Sequence, residues 1–138
     1  MNADFLVLLV EDDTPLRRSL EKFLNKAGYA FDSCSTGHEA LELARKVHPD
    51  VVILEYHLPD ANGAALLKQL KLNDPLISPI VLSEYDFQAV VQDLGYMHPG
   101  WFLKKPFNLA DIELALSSAC STKARRPAKD STWQPDSN

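Results

Sequence analysis

Two kinds of segment alternate along the chain. Residues 5–10 form an uninterrupted apolar run that stops at Glu11, Asp12 and Asp13. Thr14-Pro15 then offers an N-cap and a first-turn proline, and Leu16, Leu20, Phe23, Leu24 and Ala27 recur at helical spacing until Gly28. Residues 30–34 predict a short strand. Thr36 to Glu39 has capping-box spacing and opens a helix carrying Ala40, Leu41, Ala44 and Val47, which Pro49 ends. Residues 51–54, Val-Val-Ile-Leu, predict a strand buried on both faces, closed by a lone acid, Glu55, ahead of turn residues. Residues 64–72 have helical spacing through Leu66, Leu67 and Leu70. The pattern then repeats: a strand over 79–83, a short helix over 87–94, a strand over 101–104, and a helix capped by Asn108 with Leu109, Ile112, Leu116 and Ala119 on one face.

Five such strand–helix units call for an α/β domain with a parallel sheet and helices on both faces. Sites in such sheets form beyond the carboxyl ends of the strands. Glu11, Asp12 and Asp13 follow the first strand, Glu55 ends the third, Ser83 the fourth, and Lys105 follows the fifth, so all are expected on one edge. Carboxylates from neighbouring strand ends repel one another unless a cation stands between them. Mg²⁺ suits an all-oxygen site, and Lys105 offers a compact ammonium. With the Ser83 hydroxyl, these groups form a kit for holding a phosphoryl group, because phosphoryl transfer depends on positioning and charge neutralisation.

Composition narrows the function classes. The chain has 138 residues, 46% of them apolar, which is enough for one core. No run has the length of a membrane span, and acids in the first 20 residues exclude a signal peptide, so a cytoplasmic protein is expected. The net charge is −5; in residues 121–138 Lys123, Arg125, Arg126 and Lys129 outnumber Asp130 and Asp136 by two, which leaves −7 on residues 1–120. An acidic body argues against a nucleic-acid face or a membrane surface. The tail, polar and with two prolines, is expected to be a disordered terminus or linker from residue 121. Cys34 and Cys120 read as reduced packing cysteines. His38, His48, His57 and His98 have no zinc-type spacing, and no Gly-rich phosphate loop or nucleophile elbow is present.

At these strand ends the sequence resembles the receiver domains of two-component response regulators, over about residues 5–120. The resemblance rests on LLVEDD at 8–13, DVVILEYHLPDANG at 50–63, PIVLS at 79–83 and LKKPF at 103–107. It implies a flavodoxin-like (βα)5 three-layer sandwich with strand order 2-1-3-4-5. It further implies that Glu11 and Asp12 form the acidic pocket, and that Mg²⁺ binds through Glu11, Asp12, Glu55 and the His57 backbone carbonyl. Ser83 and Phe102 match the family's switch positions. Lys105 matches the lysine that meets the phosphoryl group, and Pro106 the proline that follows it in cis. A sensor histidine kinase or another signalling protein is the implied partner. A homodimer through the face of the fourth helix, fifth strand and fifth helix is implied as well.

Two positions depart from the family pattern. Glu55 stands where the family has its phosphoacceptor aspartate, and the extra methylene carries the carboxylate forward by about 1.5 Å. A shift of that size costs on the order of a hundredfold in a positioned reaction. Before the fifth strand the family usually has Gly-Ala, and this chain has Met97-His98-Pro99-Gly100, where proline forbids a regular helix. The expected function is therefore an atypical receiver domain, not an enzyme, acting as a conformational protein-interaction module with Glu55 in the acceptor's place. The alternatives are a receiver still phosphorylated by a histidine kinase, the N-terminal part of a DNA-binding regulator, and a small Mg²⁺-dependent phosphotransfer enzyme.

Overall fold

A computed structural model describes residues 5–95, 97 and 100–123; His98, Pro99 and the tail from 124 onward lie outside the described residues, while residues 121–123, expected to belong to the tail, are helical. Five parallel strands form the sheet: β1 (Leu6–Val10), β2 (Ala30–Cys34), β3 (Val51–Glu55), β6 (Ser78–Ser83) and β7 (Trp101–Lys104), in the order β2-β1-β3-β6-β7. Counting only these five gives 2-1-3-4-5, as the resemblance implies. The helices are α1 (Thr14–Lys26), α2 (Gly37–Val47), α3 (Gly63–Asn73), α4 (Phe87–Leu94) and α5 (Leu109–Lys123). The loop after β3 contains an unforeseen element. Two-residue strands β4 (His57–Leu58) and β5 (Ala61–Asn62) pair antiparallel across Pro59-Asp60.

The sheet divides the core in two. Leu8, Val10, Val52, Leu54 and Val81 face one cluster, into which α2, α3 and α4 send Ala40, Leu67 and Val90. Val7, Leu9, Ile53, Ile80 and Leu82 face the other, completed from α1 and α5 by Leu20, Leu24, Ile112 and Leu116. Burial on both faces explains why β1 and β3 read as continuous apolar runs while successive side chains still point to opposite sides.

The cap of α2 is at the expected place, whereas α1 starts one residue earlier than expected: Thr14 is already helical, and Asp13 at the N-cap position makes no side-chain cap. The Thr36 hydroxyl accepts from the Glu39 N–H at 3.1 Å and Glu39 reaches back to the Ser35 N–H at 3.2 Å, the reciprocal pattern of a capping box. Asp60 adds a long-range cap. Its two oxygens accept from the Gly37 and His38 N–H groups at 2.9 and 3.1 Å, tying the loop after β3 to the start of α2. These backbone donors hold the exposed Asp60 carboxyl below the usual carboxylate range.

Candidate functional site

The strand ends bring Glu11, Glu55 and Lys105 together. Register pairs Val10 with Leu54 across β1 and β3, so the next residue on β1, Glu11, stands beside Glu55. Lys105 follows β7, and its backbone N–H donates to the Ser83 carbonyl at 2.8 Å. The Lys105-Pro106 peptide is cis, as the resemblance implies. The Lys105 Nζ pairs with Glu55 Oε1 in close contact and with Glu11 Oε1 at 3.2 Å. The other carboxylate oxygens have backbone partners: Glu55 Oε2 accepts from the His57 N–H at 2.8 Å, and Glu11 Oε2 from the Asp13 N–H at 3.1 Å. Arg17 steadies the turn by donating to the Glu11 carbonyl at 3.0 Å.

This trio is nearly dry. Glu11 is 1% exposed and Glu55 4%, while the Lys105 side chain keeps 16%. Burial pushes the Glu11 carboxyl up to about 7; the neighbouring Glu55 charge adds to the rise, and the Asp13 N–H and the Lys105 ammonium oppose it. Burial works against the charged lysine too. The hydrogen bond and charge of Glu55, with those of Glu11, more than offset it and hold Lys105 above the ordinary lysine range.

Period-two alternation sorts the remaining candidates. Glu11 and Glu55 continue the side of Val7, Leu9 and Ile53, which faces α1 and α5. Asp12, Tyr56 and Ser83 continue the side of Leu8, Leu54 and Val81, which faces α2, α3 and α4. The structure accordingly does not join Ser83 to Glu55: Ser83 is fully buried, and its Oγ accepts from the Tyr85 N–H at 2.9 Å. Asp12 is exposed and lines a cleft of about 400 Å³ with Tyr56, His57, Asn62 and Asp93. Lys105 opens instead onto a cleft with Asp13, Glu84 and Phe107. Phe102 is half-buried and meets Phe87 of α4 edge to face at 5.4 Å.

Sequence reasoning missed a link beside the trio. The buried Tyr56 donates through its hydroxyl to Asp93 Oδ2 on α4 at 2.5 Å, which connects the residue next to Glu55 with a helix 37 positions away. Burial first, and then the accepting Asp93 carboxylate, push the tyrosine pKa up. Gly63 makes room, since a Cβ there would stand 2.4 Å from the Tyr56 carbonyl oxygen. The available signal was the alternation itself, which places residue 56 on the α4 side. Tyr56→Phe is expected to cost about 1 kcal/mol, because the exposed Asp93 regains water. Amide exchange should quicken in α4 and stay unchanged in β3; equal exchange in α4 of both proteins would show that the link does not hold the helix.

The sequence profile of the response regulator receiver domain matches residues 7–117. The chain belongs to the receiver domain family. Receiver domains are signalling modules that interact with histidine kinases and other signalling proteins, and they generally bind Mg²⁺. Among relatives of this receiver domain, sporulation initiation phosphotransferase F of Bacillus subtilis is 28% identical over 118 residues, covering 86% of this chain and 95% of the relative. The DNA-binding transcriptional regulator NtrC of Escherichia coli is 31% identical over 118 residues, covering 84% of this chain and 25% of NtrC. The solved structure of the non-phosphorylated HemR receiver domain from Leptospira biflexa superposes with a TM-score of 0.75 at 28% identity, covering 90% of this chain and 98% of that one.

Of the residues that the family resemblance assigns to Mg²⁺, Glu11 and Glu55 meet at the Lys105 ammonium while Asp12 lines a different cleft, so as arranged they do not fit a metal ion. Each acid has one oxygen ion-paired with the Lys105 ammonium between them and the other bonded to a backbone N–H. Among the described residues, no group of three His, Cys, Asp or Glu side chains is placed to hold a metal ion. Nor is any described helix long and apolar enough to cross a membrane.

Proposed function

We propose that the chain is an atypical, phosphorylation-independent receiver domain of two-component signalling, with Glu55 in the phosphoacceptor's place. The observation that carries this reading is the ion pair of Glu55 with Lys105. In it the lysine that would meet a phosphoryl group is already matched by an internal carboxylate. A carboxylate supplies about −1 where a phosphoryl group supplies about −2, and Ser83 is engaged by Tyr85 rather than by Glu55. The imitation therefore extends to the lysine and not to the hydroxyl. The domain works as a fixed-state docking module rather than by turnover.

The output surface in this reading is the α4–β7–α5 face. Phe87, Leu109 and Leu114 are exposed apolar residues on α4 and α5, which supports contact with a signalling protein or a second copy of the chain. The acidic body supports a protein partner rather than nucleic acid, in a cytoplasmic setting. Incubation with Mg²⁺ and a small phosphodonor, read by intact mass, tests the proposal. The native chain should gain no phosphoryl adduct while Glu55→Asp gains one. An adduct on the native chain that Glu55→Gln abolishes would sink the reading.

A further inference from the structure

We propose that the Lys105 ammonium takes the place of a divalent cation in the acidic pocket, so that this chain carries its own counter-charge and does not bind Mg²⁺ there. The proposal deepens the reading above, resting on it only for the identity of the pocket, and its observations are separate ones.

Three features support it. First, the cation position is filled: Nζ lies against Glu55 Oε1 and 3.2 Å from Glu11 Oε1, so it forms ion pairs with both of the acids a metal would need. Second, the opposite oxygens are held by the His57 and Asp13 N–H groups at 2.8 and 3.1 Å, so neither carboxylate can swing without breaking a backbone bond. Third, Asp12 is split from the pair. It continues the α4 side of the alternation and lines the cleft with Tyr56 and Asp93, whereas Lys105 opens toward Glu84 and Phe107.

Mg²⁺ demands near-octahedral oxygen ligands at short distances and gives up its waters reluctantly. To enter here it must displace an ammonium already matched to both acids, and that ammonium would be left largely buried without a partner. Glu55 has one methylene more than an aspartate, and its Oε1 is the atom that meets Nζ.

The test is a titration of MgCl₂ into the intact chain without any phosphodonor, in parallel with Lys105→Met, followed by calorimetry and by the thermal midpoint against NaCl of equal ionic strength. The native chain should give no saturable heat and no midpoint rise up to about 10 mM MgCl₂. Lys105→Met, whose facing acids then lack a cation, should bind Mg²⁺ at least about tenfold more tightly and gain in midpoint. If that variant folds only with metal, Mg²⁺-dependent recovery of its far-UV dichroism reports the same gain. Saturable binding to the native chain as tight as to Lys105→Met would overturn the proposal. Silence of both chains would overturn it too, since the ammonium would then exclude nothing. Because no phosphodonor is present, a chain that binds Mg²⁺ yet accepts no phosphoryl group would refute this inference and leave the functional reading standing.

Discussion

Replacing Lys105 with methionine should lower the free energy of unfolding by about 3–5 kcal/mol, the range for removing one partner of a buried ion pair. The native lysine stands between two acids that are 1% and 4% exposed, and it is the cation that both of them touch. Methionine keeps the apolar stem and removes the charge, so the loss reports the uncompensated carboxylates rather than a cavity. Lys104 is the internal control. It pairs with Asp86 at 3.0 Å, but the two side chains are 54% and 75% exposed, and such surface pairs contribute less than about 1 kcal/mol. Urea unfolding of Lys104→Met and Lys105→Met at pH 7 separates the two neighbours. Equal small losses would mean that water reaches the acids and that the pocket is not dry.

The second large effect is a dependence of stability on pH that runs against the usual direction for an acid. Glu11 has its carboxyl raised from 4.5 to about 7, chiefly by burial, so the folded chain holds a proton that the unfolded chain has already released. Between these values the folded state binds more protons, and stability falls as pH rises. The loss begins near pH 4.5, is complete a little above pH 7, and reaches about 3 kcal/mol at most. Lys105 does not reverse it, because its own pKa is held above the ordinary lysine range and it stays charged throughout this window. Glu11→Gln removes the titrating group and keeps the shape. Denaturant midpoints at pH 5 and pH 8 should therefore fall further for the native chain than for Glu11→Gln, and parallel curves would place the charged Glu11 in water.

Much of the architecture was legible from local pattern. The runs at 5–10 and 51–54 became β1 and β3 because strands covered on both faces need no polar positions, and the capping spacing of Thr36 and Glu39 became a capping box at α2. Convergence of the acids and the lysine on one edge was also legible, since every parallel strand ends on the same side. The loop after β3 was not. Its β4–β5 pairing has only two residues on each strand, too few for a periodic signal, and the Asp60 cap on α2 joins residues more than 20 positions apart, which no local periodicity records.

The sequence by itself determined the alternation of strands and helices, the two-sided burial of the sheet, the set of chemical groups at its carboxyl edge, and the glutamate at position 55. Only the tertiary structure decided which of those groups meet. Register across β1 and β3 brings Glu11 beside Glu55, the chain after β7 carries Lys105 to both, and the alternation leaves Asp12 and Ser83 on the opposite side. The physical reason is that identity and spacing set which face of its own strand a residue occupies. Contact between strands depends on how their registers align, and that follows from packing two apolar layers against one sheet.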